Sequence, residues 1–253
     1  MQEKRTSDWT VVLSLSDGER LADNLATHGL TLLVIPDLYD LPADHVAVAA
    51  VQEIAGPICL VSQYLPRAAY WMLAWRGVKG RRADWPDTRT TGRRIHPVCI
   101  AGCDHAQAVQ RVLAVTGADN RRGNVRSVID RPAQRWYPVI DYDRCTGCLA
   151  CAEFCLFGVY EASADRQVTV ARPEQCKSGC PACSWTCPAG AIMFPRYSGG
   201  GAVAGDDAGK PERLQGDALR QAARKSIGQW SSAKRSPADN QKIDQAVDEL
   251  EKF

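Results

Sequence analysis

Eight of the chain's eleven cysteines crowd between Cys145 and Cys187, and no other feature limits the possible folds so tightly. They fall in two runs. The first is Cys145-Thr-Gly-Cys148-Leu-Ala-Cys151-Ala-Glu-Phe-Cys155, and the second is Cys176-Lys-Ser-Gly-Cys180-Pro-Ala-Cys183-Ser-Trp-Thr-Cys187. Gly147 and Gly179, Cys148 and Cys180, Cys151 and Cys183, Cys155 and Cys187, and Gly158 and Gly190 all stand 32 positions apart. The segment is therefore a duplicated half-domain. An odd cysteine total cannot be consumed by a pure disulfide framework. Thiols two or three residues apart can instead wrap a common metal centre in a tight loop, with Gly147 and Gly179 allowing the backbone to come close.

These runs resemble the bacterial-type ferredoxins that carry two [4Fe–4S] clusters, over residues 138–197 of the chain. The resemblance implies a small α+β domain of duplicated βαβ halves and one-electron chemistry. It also implies crossed ligation, in which the fourth cysteine of each run serves the other cluster. Cys145, Cys148, Cys151 and Cys187 would then hold the first cluster, and Cys176, Cys180, Cys183 and Cys155 the second. Two departures stand out. Three residues, not two, separate Cys176 from Cys180, and Leu156 follows Cys155 where the family usually has proline. Neither removes a ligand, though the extra residue enlarges one loop. Two structural zinc sites, each of four thiolates, are the competing reading. Phe154, Phe157, Tyr160 and Trp185 are expected to shield the clusters from water.

Residues 1–117 read differently. Apolar, β-branched runs at 9–15, 31–37, 57–64 and 94–100 are predicted strands. Helically spaced stretches follow them at 17–30, 41–56, 65–78 and 106–117. Alternating β-α units predict an α/β domain with a parallel sheet and helices on both faces. Cys59 lies within a strand and is expected in the core. No G-x-G-x-x-G, G-x4-G-K-[ST], H-E-x-x-H or G-x-S-x-G is present. Tyr64, Arg67 and Trp71 fall where a strand gives way to a helix, a usual place for a ligand crevice. His96, Cys99, Cys103 and His105 invite a metal reading, but a buried Cys99 and an Asp104 helix cap explain the same residues. Seven basic residues between Arg76 and Arg94 form either a patch for an acidic partner or a solvated loop. No nucleic-acid motif accompanies them.

Residues 118–137, with five arginines and few apolar residues, read as a basic linker. Residues 198–253 read as a flexible, glycine-rich tail with short helices near 213–230 and 237–252. In the second, Ser236, Pro237 and Asp239 make a capping box variant, and Ile243, Val247, Leu250 and Phe253 form a narrow apolar stripe.

No apolar stretch is long enough to span a membrane, and no signal peptide is evident, so a cytoplasmic protein with reduced thiols is expected. The primary expectation is an electron-transfer protein with two [4Fe–4S] clusters, acting as a subunit of a larger redox assembly with partner donors and acceptors. One alternative is an oxidoreductase whose substrate binds the α/β domain and is reduced through the clusters. Another is an iron–sulfur sensor or assembly factor.

Overall fold

The structure is a computed structural model that describes residues 8–15, 18–85, 92–118, 123–130, 132–209, 213–219, 221–222, 238, 241, 244–245 and 248. The chain divides into two compact units, Met1–Gln134 and Arg135–Phe253.

The first unit is built on a parallel sheet in the order β4-β5-β3-β1-β2-β6. Its central strands are β1 (Thr10–Ser14), β2 (Thr31–Ile35), β3 (Ile58–Ser62) and β5 (Arg94–Cys99), matching the four predicted runs. They read as almost continuous apolar segments because both faces are covered, as parallel sheets require. Helices α1 (Glu19–Thr27) and α4 (His105–Thr116) cover one face. Their Leu21, Leu25, Ala108 and Val112 pack with Val11, Leu13, Leu32, Cys59 and Val61. Right-handed crossovers put α2 (Val46–Gln52) and α3 (Pro66–Trp75) on the other face. Asp104 caps α4 as expected, and its carboxylate accepts from the Gln107 backbone while the Gln107 side chain returns the bond.

Two strands of the first unit were not predicted. β4 (Arg81–Arg82) is a two-residue edge. β6 (Asn124–Ser127) lies inside the expected linker, yet it pairs in parallel with β2, Thr31 opposite Asn124. All four β6 residues are exposed, so the strand carries no apolar signature and only its backbone joins the sheet. The approach to it needs Gly123, where an added Cβ would meet the Leu30 carbonyl oxygen at 2.0 Å.

The basic stretch is largely used within its own unit. Arg76 is buried at 3% exposure and donates to the carbonyls of Leu41 and Met72. Arg82 pairs with Asp84, Arg93 donates to the carbonyls of Lys79 and Ile54, and Arg94 lies over the Trp9 ring.

Cys59 is fully buried, and burial pushes its thiol from 9.0 up to about 12. A folded-state pKa above the unfolded value contributes stability below about pH 9 that is lost as pH rises towards about 12. At neutral pH, alkylation mapped by mass spectrometry should label Cys59 only as the first unit unfolds. Labelling of native Cys59 as fast as the half-buried Cys99 would contradict this packing.

The second unit contains β7 (Val139–Ile140), α5 (Ala150–Phe154), β8 (Tyr160–Ala162), β9 (Val168–Val170), a 3-10 turn at Pro173–Gln175, α6 (Ala182–Thr186), β10 (Ile192–Met193) and α7 (Gly201–Ala204). β7 pairs antiparallel with β10, and β8 with β9. Part of the stretch from residue 198, expected to be a flexible tail, is packed in the structure. Ala202, Val203 and Ala204 are buried, and the Phe194 amide donates to the Val203 carbonyl. Alanine and valine between glycines were small enough to pack where the sequence suggested a spacer. Residues 216–219 and 221–222 are helical, and Leu219 is buried in the core of this unit. Ala238, Gln241, Asp244, Gln245 and Asp248 are helical too. Ser236, Pro237, Asp239, Ile243, Val247, Leu250 and Phe253 lie outside the described residues. Among the described residues, no helix is long and apolar enough to cross a membrane.

Candidate metal centre

The first cysteine loop leaves β7 through a tight turn. The Asp141 carboxylate accepts from the amides of Asp143 and Arg144, and the Cys145 amide donates to the Asp141 carbonyl. Gly147 follows with φ +67, and a Cβ there would lie 2.8 Å from the Arg166 carbonyl oxygen. Arg166 in turn donates through Nε to the Gly147 carbonyl at 3.0 Å, so the β8–β9 turn grips this loop. Leu149 takes a left-handed conformation, φ 68, and the chain enters α5, which carries Cys151 and ends at Cys155.

The second loop repeats this design with a different lead-in. Gly179 has φ 76 against 67 for Gly147, and Gly190 has 58 against 67 for Gly158. Cys155 and Cys187 both leave their helices in an extended conformation. The extra residue is absorbed ahead of the helix, where the Cys180 amide donates back to the Lys177 carbonyl. There Pro181 replaces the left-handed Leu149.

α5 packs against α6, which brings the two cysteine runs together. Cys145, Cys148, Cys151 and Cys187 line one small cavity with Ile140 and Ile192. Cys155, Cys176 and Cys180 all act on the Cys183 thiol. Burial, with Cys187, Cys148 and Cys145 next, pushes the Cys151 thiol up to about 12. Burial pushes Cys180 to about 11, and holds Cys176 and Cys183 well above 9.0. Metal ligation takes thiolates, so loading must displace these protons and is favoured by higher pH. Two sulfurs already accept hydrogen bonds, Cys187 from the Ala191 amide at 3.3 Å and Cys183 from the Tyr160 hydroxyl at 3.0 Å.

Phe154, Tyr160 and Trp185 are buried in the same core as the thiols, and Phe157 packs partly buried against it. An all-thiol donor set within an apolar shell fits an iron–sulfur cluster. Among the described residues, no three His, Cys, Asp or Glu side chains converge as they would on a single ion. That covers His96, Cys99, Cys103 and His105. There, His96 meets Trp9 edge-on instead.

Tyr64 and Arg67 are buried, and the Tyr64 hydroxyl donates to the Asp37 carboxylate. A cavity of about 450 Å³ opens beside them at the carboxyl ends of β1, β2 and β6, lined by Gly18, Arg20, Asp37, Asp40 and Asp130 among others. Sequence reasoning missed it because β6 carried no strand signal.

Residues 138–158 match the family model of the 4Fe-4S binding domain. The match supports an iron–sulfur region of the ferredoxin type within the chain. It is 48% identical over 61 residues to an uncharacterized ferredoxin of Methanocaldococcus jannaschii, an overlap of 24% of this chain and 41% of that protein. The chain therefore spans less than half the length of this relative. No solved structure matches the chain.

Proposed function

We propose that residues 138–197 form a two-cluster ferredoxin domain, and that the chain passes electrons within a larger cytoplasmic redox assembly. Cys145, Cys148, Cys151 and Cys187 hold one [4Fe–4S] cluster, and Cys155, Cys176, Cys180 and Cys183 the other. The observation that carries this reading is the cavity lined by Cys145, Cys148, Cys151 and Cys187 across the two runs, and the influence of Cys155, Cys176 and Cys180 on the Cys183 thiol supports it. The matched dihedrals of Gly147 with Gly179 and Gly158 with Gly190 support duplicated halves. When bound, such clusters supply one-electron oxidation and reduction. The thiols bind them, the Ala191 amide and Tyr160 hydroxyl place hydrogen on sulfur, and Phe154 and Trp185 exclude water. Exposed Cys148 brings the first group nearest to solvent, and hence to a partner.

Anaerobically purified protein should contain about eight irons and eight acid-labile sulfides per chain. Zinc in place of iron, or about four irons at full loading, would refute two clusters. Anaerobic affinity purification should recover a redox enzyme with the chain; a monomeric carrier without stable partners would refute the subunit role. The cavity at the ends of β1, β2 and β6 favours a second reading, in which a substrate bound there is reduced through the clusters. A small molecule co-purifying with the first unit, and altered by reduced protein, would favour it.

A further inference from the structure

The duplication has one asymmetry that bears on electron energetics. Tyr160 begins β8 with a ring 7% exposed, and its hydroxyl stands 3.0 Å from the Cys183 sulfur. The 32-residue offset maps Tyr160 onto Ile192 and Cys183 onto Cys151. Ile192 and Cys151 both line the other thiol group's cavity, so the matching position there faces the thiols with an apolar side chain. One half of the domain places a buried side-chain hydroxyl on a ligand sulfur, and the matching position in its twin carries hydrocarbon; the donor on the twin's side is a backbone one, the Ala191 amide on Cys187.

A hydrogen bond donated to a ligand sulfur draws off negative charge, and so favours the more negative, reduced state of a cluster. Burial strengthens the effect, because little solvent competes at a low local dielectric. A tyrosine hydroxyl ordinarily carries its proton at neutral pH, so it is available as a donor there.

We propose that Tyr160 is a tuning residue: its hydroxyl bond to Cys183 raises the reduction potential of the cluster on Cys155, Cys176, Cys180 and Cys183 and leaves that of the cluster on Cys145, Cys148, Cys151 and Cys187 unchanged. This rests on the two-cluster reading above. The bond thereby holds an electron more tightly on the Tyr160 side than the same group would without the hydroxyl.

The test is Tyr160→Phe, which keeps the ring and removes only the donor, with Tyr160→Leu as a second variant. Each is purified anaerobically, assayed for iron and sulfide, and titrated by redox potentiometry with electron paramagnetic resonance detection. Full iron content with one midpoint shifted downward and the other unmoved is the expected result. Two unmoved midpoints, equal shifts of both, or an upward shift would overturn the proposal. Loss of clusters from both variants would also overturn it, making Tyr160 a folding residue. Failure of the two-cluster reading shows separately, in wild-type protein with about four irons or with zinc.

Discussion

Replacing Cys187 with alanine is expected to cost the cluster bound by Cys145, Cys148 and Cys151, although Cys187 belongs to the other run. Cys187 ends α6, three residues beyond Ser184, whose carbonyl accepts its amide, and just past Cys183. In space its sulfur sits with Cys145, Cys148 and Cys151 around one cavity, and its proximity raises the Cys151 thiol. Iron should fall from about eight to about four per chain, with a matching loss of sulfide. The surviving signal should keep the features that depend on Tyr160. Loss of the cluster on Cys176, Cys180 and Cys183 instead would overturn the crossed assignment.

Arg76→Met should destabilise the first unit by roughly 3 kcal/mol, through carbonyls left dry without their donor. The Arg76 guanidinium reaches the Leu41 carbonyl at 2.6 Å and the Met72 carbonyl at 2.8 Å, tying the chain after β2 to the end of α3. Methionine fills similar volume and offers no hydrogen. Denaturant unfolding followed by Cys59 alkylation gives the measurement. A loss below about 1 kcal/mol would mean that the freed carbonyls find other donors.

Arg76 also shows where sequence reading stopped. An arginine near a run of basic residues reads as surface charge, and nothing in the letters separates it from one folded back onto carbonyls. β1, β2 and β3 were legible because burial on both faces demands near-continuous apolar runs, and β5 through its Ile95 and Val98. β6 was not legible, since an exposed edge strand contributes only backbone bonds and its Asn-Val-Arg-Ser composition resembles a loop. The residues of the cysteine site stood out because clustered thiols at regular spacing are rarely anything else. Their surroundings were harder to read. Tyr160 read as an apolar shield, and its hydroxyl contact needs three dimensions. Aligning the repeat would have hinted at it, through tyrosine facing isoleucine at equivalent positions.

The pairing of β2 with β6 joins residues more than ninety positions apart. Such a closure is slow, because a long loop must be ordered before the contact gains anything. It is nonetheless finished by Ser127, upstream of Cys145. During synthesis, every strand of the first sheet is therefore made before any of the eight clustered thiols. The order of manufacture separates a metal-independent scaffold from a metal-dependent one. Cells starved of iron should accumulate chains whose first unit resists protease while the second, with Cys151, Cys183 and Cys187 built into its core, is cut.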